Sequence, residues 1–158
     1  MKLQRPTIPL AKWKLATDLQ ATLTIQNQQG MPAYNCNCQW CIHWRNRYKS
    51  VLPTQLRQQL LRIGVDLNHP TDLYKMNNDE NSTSIRVIFH AVGKILEGPN
   101  PWCQNDSSQA LMYVPIQEQP YVSLVILPQS QSYGAAPILK DLPSSQLICI
   151  DLRLELAP

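Results

Sequence analysis

The chain has 158 residues, 44% of them hydrophobic, with 14 lysines and arginines against 11 acids. That length supports one domain with a sizeable core, and that composition excludes general disorder. The net charge of +3 is unevenly spread. Residues 1–18 carry Lys2, Arg5, Lys12 and Lys14 against Asp18, and residues 19–65 carry Arg45, Arg47, Lys49, Arg57 and Arg62 with no acid. Residues 66–158 hold ten acids against five bases. A basic first half followed by an acidic second half implies either an anionic partner or two halves that dock on each other. No apolar run approaches the ~18 residues of a spanning helix. The opening Met1-Lys-Leu-Gln-Arg-Pro6 lacks the layout of an export signal, so a cytoplasmic location with reduced thiols and no membrane partner is expected.

In chain order, residues 1–18 are expected to be irregular because Pro6 and Pro9 interrupt them. Leu19, Ala21, Leu23 and Ile25 alternate with Gln20, Thr22, Thr24 and Gln26, the pattern of a half-buried strand. Gln28 to Pro32 is a turn-rich connection. From Gln39 to Val51 the period turns helical, with Trp40, Trp44, Tyr48 and Val51 on one face. Leu52-Pro53-Thr54 closes that helix and opens a second, striped by Leu56, Leu60, Leu61 and Ile63 and ended by Gly64. The helical pair thus covers 39–64. Pro70 to Tyr74 reads as a short helical turn and Met76 to Ser82 as a polar loop.

Residues 84–156 read mainly as strands. Ile85, Val87, Phe89, Ala91, Gly93 and Ile95 share a face, while Arg86, His90 and Lys94 point the other way among Ile88 and Val92. Shorter runs follow at Ala110–Val114 and Tyr121–Leu127, then a Pro/Ser/Gln-rich loop at 128–145. The last strand alternates cleanly, Ile148, Ile150, Leu152, Leu154 and Leu156 against Cys149, Asp151, Arg153 and Glu155. Strict alternation suits an antiparallel sheet. The expected architecture is α+β, a helical pair packed on one face of a mostly antiparallel sheet of four to six strands.

The densest chemistry is the segment Tyr34-Asn-Cys36-Asn-Cys38-Gln-Trp40-Cys41-Ile-His43-Trp44, which holds three of the five cysteines. Cys36, Cys38 and Cys41 offer three thiolates to a metal, and zinc takes four Cys or His ligands at such short spacings. A fourth ligand would have to be His43, Cys103 or Cys149, and His43, two positions after Cys41 on a helix, points to another side. A redox reading rests on Cys38-x-x-Cys41 at a helix start, where thiol pKa values fall, but the βαβ setting of such motifs is missing. The third reading makes the cysteines polarizable filler between Trp40, Trp44 and the sheet, anchoring helix to sheet. This third reading is carried forward as the expectation.

Other candidates carry less. His69-Pro70 reads as loop punctuation, and Asp79-Glu80 as solubilising acids. His90, between Arg86 and Lys94, is placed on a solvated face able to touch an anion. Asp151, Arg153 and Glu155 suggest local ion pairing along one strand. No nucleophile motif or phosphate loop is present. The interleaved Trp44-Arg45-Asn46-Arg47-Tyr48-Lys49, with Arg57 and Arg62, has the composition used for nucleic acids.

Three stretches, Cys38-Gln-Trp-Cys41-Ile-His-Trp44, Leu52-Pro53 through Gly64-Val65-Asp66 to Pro70, and Phe89-His90-Ala-Val-Gly93, together resemble a group of uncharacterised bacterial proteins with no established activity. The resemblance implies a fold unit and supplies no catalytic residue. The functional expectation is a small non-enzymatic protein that binds a macromolecular partner, a protein first. The alternatives are a thiol- or zinc-dependent protein centred on Cys36, Cys38 and Cys41, and nucleic-acid binding through Arg45, Arg47, Lys49, Arg57 and Arg62. No cofactor is expected, apart from zinc under the thiolate alternative.

Overall fold

The computed structural model describes residues 6–26, 31–77, 81–104, 108–132, 134–137 and 146–156. Its organising element is β4 (Ser84–Glu97), fourteen residues whose alternate side chains enter different cores. On one edge β4 pairs antiparallel with β9 (Leu147–Glu155) along Ser84↔Glu155 to Val92↔Leu147. β3 (Asp72–Lys75) pairs with residues 85–88 of β4, and β2 (Trp13–Thr17) with residues 93–97. β1 (Thr7–Leu10) extends the sheet beyond β2, and β8 (Val122–Pro128) and β7 (Val114–Gln117) extend it beyond β9. The result is a seven-stranded antiparallel sheet, with β5 (Trp102–Gln104) and β6 (Gln109–Leu111) forming a separate two-stranded hairpin. The α+β expectation holds, with more strands than the four to six anticipated.

Ile85, Val87, Phe89 and Ala91 of β4 join Ile148, Ile150, Leu152 and Leu154 of β9 in the main core, as the alternation predicts. The same core takes Cys41, Trp44, Tyr48 and Val51 from α2 (Gln39–Val51) and Leu56 and Leu60 from α3 (Thr54–Arg62). The Trp44 ring lies 5.4 Å from Tyr48 and 6.0 Å from Phe89, and its indole N–H donates to the Leu67 carbonyl at 2.7 Å. Burying such rings with their polar tip satisfied is the largest single contribution an aromatic makes to a core. Leu61 falls outside this stripe at 59% exposure. Gly64, at φ +95°, ends the second helical stretch as the sequence indicates.

Three local expectations are overturned. Residues 7–17 form a hairpin rather than an irregular segment; Pro9 is tolerated because β1 is an edge strand, where a missing N–H costs no ladder bond. Leu19–Gln26 is a helix, α1, not a strand. Asp18 Oδ1 accepts the Ala21 N–H at 3.0 Å as a cap, and the residues buried are Thr22 and Ile25, one helical turn apart. The Thr22 hydroxyl accepts the Val92 N–H of β4 at 3.0 Å, which ties the helix to the sheet. Finally, Asp72–Lys75 is strand β3 rather than a helical turn. The loops read at Gln28–Pro32, Met76–Ser82 and 128–145 lie partly outside the described residues.

Candidate metal centre

The chain enters α2 through a tight turn. Tyr34 N–H donates to Met31 O, Asn35 takes a left-handed backbone at φ +57°, and the Ala33 N–H is held by Thr71 O. Asparagine accepts that conformation more readily than most residues. The turn brings Cys36 and Cys38 back over the first turn of the helix, where Cys38 is the N-cap and its sulfur accepts the Cys41 N–H at 3.4 Å. A sulfur here takes the place usually held by a Ser or Asp oxygen.

Arg45 completes the scaffold. One helical turn after Cys41, its guanidinium donates to the Cys36 carbonyl at 2.9 Å and to Asn37 Oδ1 at 3.2 Å. It therefore clamps the loop that carries two of the thiols. The signal for this was present in the i,i+4 spacing from Cys41, where α-helical neighbours stack.

The three sulfur atoms lie within 4.8 Å of one another. Cys41 is buried, Cys36 intermediate and Cys38 exposed, and all three are free thiols. For Cys38, partial desolvation works against ionisation, but the Cys41 N–H, the neighbouring thiols and the Trp40 N–H outweigh it and lower its pKa. Burial first, then the adjacent sulfurs, push Cys41 up. The exposed Cys38 sulfur thus ionises more readily than the buried Cys41 beside it. Helix N-terminal amides favour a negative charge at this place.

His43 does not join the three sulfurs within that distance. Its ring meets Trp40 edge-on at 5.9 Å, and Nδ1 is buried with no partner among the described residues. The remaining cysteines are apart from the cluster as well. Cys149 is buried against Ile88, Val125 and Leu127, and burial with the Asp151 charge pushes it up to about 12. The anchoring role expected for the knot is present in Cys41, and convergence of the thiols is present beside it.

The basic helical residues divide. Arg47, Lys49 and Arg62 are exposed, whereas Arg45 serves the cysteine loop and Arg57 donates to Leu52 O and Thr54 Oγ1. His90 is corrected from a solvated position to a buried one at 1% exposure. Its Nδ1 accepts from the Thr71 hydroxyl at 2.8 Å and its Nε2–H donates to Gln129 Oε1 at 2.7 Å, and burial lowers its pKa to about 4. Asp151 is likewise not paired along its own strand: it is fully buried and bound by Arg86 across the sheet. His69, read as punctuation, meets the Asp66 carboxylate through Nδ1 at 2.7 Å.

No known protein family matches the chain, nor does any curated protein or solved structure. The site stands on its own geometry. No helix among the described residues is long and apolar enough to cross a membrane.

Proposed function

We propose that the protein is a thiolate metal-binding protein that holds a soft ion, zinc in the first instance, on Cys36, Cys38 and Cys41. The observation that supports this reading most is the convergence of three sulfurs within 4.8 Å on a loop clamped by Arg45. Metal-bound thiolates sit about 3.5–4 Å apart in a tetrahedron with Zn–S near 2.3 Å, so binding would draw the sulfurs together by up to about 1 Å. Cys38 gives up its proton more readily than Cys41, and capture of the ion releases the remaining thiol protons to solvent. With three protein ligands, the fourth position is left to water or an incoming group, the pattern of reactive rather than purely structural zinc.

The test is elemental analysis of protein purified without chelator and reloaded with zinc or cobalt(II). About one equivalent per chain and a thiolate-to-cobalt charge-transfer band are expected, both lost in Cys41→Ser. Less than about a tenth of an equivalent of any soft ion would end the reading.

A second reading, binding of a macromolecular partner, draws on the exposed Arg47, Lys49 and Arg62 of the two helices. Retention on a nucleic-acid column that is insensitive to salt, with no protein partner recovered by pull-down, would count against it.

A further inference from the structure

The sheet face opposite the main core carries a second feature that no thiol chemistry uses. Ile88, Val125, Leu127 and Cys149 form a small apolar floor, and Trp102, Leu111 and Tyr113 pack against it. Between this floor, the β5–β6 hairpin and β3 lies a cavity of about 640 Å³. Cavities of this size are the usual range for small-molecule sites.

The charges in it are unusual. Arg86 and Arg153 are directly opposite each other on β4 and β9, on the same face, and both line the cavity. Like charges placed so are unfavourable on a sheet. The carboxylate of Asp151 is buried beside Arg86, beneath the lining. Its two oxygens accept from Arg86 Nε at 2.9 Å, and Arg86 Nη2 donates to it as well. Arg86 also donates to the Tyr74 hydroxyl. A buried ion pair gains little over apolar side chains of the same shape, so stability alone gives no reason to keep one here. What the arrangement does achieve is a guanidinium fixed in one orientation.

Among the described residues, no carboxylate forms an ion pair with Arg153. Its guanidinium lies 5.1 Å from the Tyr113 ring, with Nε against the Met76 sulfur. Tyr113 keeps its hydroxyl proton and shares it with Asp151, because burial and the nearby Asp151 push its pKa up. The remaining wall holds Trp102, whose indole N–H is taken by Gln131, and Asp72, whose Oδ1 accepts the Leu73 N–H. A cation with no acid partner among the described residues, flat aromatic walls and the Asp72 carboxylate therefore surround a single apolar-floored space.

We infer that this cavity binds a small planar aromatic molecule carrying one oxyanion group, phosphate or carboxylate, with the oxyanion on Arg153 beside Arg86 and the ring against Trp102 and Tyr113. Stacking on aromatic faces tolerates any flat ring, and the guanidinium contributes on both counts. Nucleoside monophosphates and aryl carboxylates share this chemistry. Asp72 favours members of either set that also present an N–H or O–H.

The experiment is calorimetric titration of the full chain with two panels, the common nucleoside monophosphates and a set of amino- and hydroxybenzoates, with inorganic phosphate and benzene-free buffer as blanks. At least one panel member should bind, and which panel it comes from identifies the source of the oxyanion. Arg153→Gln should weaken that binding by about tenfold or more, the weight of a charge-assisted hydrogen bond. Lys94→Gln, the same charge change at an exposed position on β4, should leave it unchanged. The inference is overturned if no member of either panel binds more tightly than about 1 mM. It is also overturned if a folded Arg153→Gln chain, checked by circular dichroism, binds as the parent does.

Discussion

Removing Arg86 should expose how much of the sheet's second face rests on one ion pair. Asp151 has no exposed side-chain surface, and the Arg86 side chain is 24% exposed. In Arg86→Leu the carboxylate keeps its burial and loses its counter-ion. Breaking a buried pair from one side costs about 3–5 kcal/mol, because the charge left behind is uncompensated. For a chain of this size, with a urea m-value near 2 kcal/mol/M, that is a fall in midpoint of about 2 M. The companion variant Arg86→Leu/Asp151→Leu removes both charges, and its midpoint should return to within about 0.5 M of the parent. Urea unfolding followed by tryptophan fluorescence near pH 7 reads both. If the single variant loses less than about 1 kcal/mol, Asp151 has access to water and the buried pair is misplaced. If the double variant is as unstable as the single one, shape rather than charge accounts for the loss.

Burial lowers the His90 pKa from 6.5 to about 4, so the unfolded chain takes up a proton as pH falls through ~6.5 while the folded chain resists until ~4. Stability should drop across that window by up to roughly 3 kcal/mol, and His90→Gln should flatten that part of the profile in urea midpoints taken at about pH 7 and 4.5. Among the thiols, Cys38 should alkylate first below about pH 8.5, as read by peptide mass spectrometry, with Cys41 and Cys149 slow; early labelling of Cys149 would contradict its burial. A Cβ at Gly93 would sit 2.1 Å from the Ala16 carbonyl oxygen, where β4 meets β2. Gly93→Ala should therefore lower stability by ~2 kcal/mol or more, and an unchanged thermal midpoint would argue against the β2–β4 register.

Much of the fold was readable because strict periodicity and burial agree. Ile148 to Leu156 and Ile85 to Ala91 face the main core as their alternation requires, and Trp44, Tyr48 and Val51 do so at helical spacing. The Leu19–Gln26 stretch misled because its apolar residues alternate, yet Leu19 and Leu23 are 45% and 44% exposed and a threonine is buried instead. The hydroxyl of Thr22 finds a backbone donor 70 residues away, and nothing local in the sequence announces that. The Arg86–Asp151 pair, 65 residues apart in sequence, was hidden for the same reason. At the thiol cluster, the spacing identified the three sulfurs and set His43 aside. The convergence depends on Asn35 and on the clamp by Arg45, which backbone geometry and a long-range bond supply.

β9 is synthesised after every other described strand, yet it sits between β4 and β8. Until it emerges from the ribosome, the other described strands of the main sheet can form only two part-sheets, one around β4 and one of β7 with β8, each ending in an unpaired edge. Completion is then an insertion into a slot rather than an addition to a rim. A chain stopped before Leu147 would present two such edges at once, the arrangement most open to pairing with a neighbouring molecule. A separate peptide spanning 146–156 is the natural donor to fill that slot in trans.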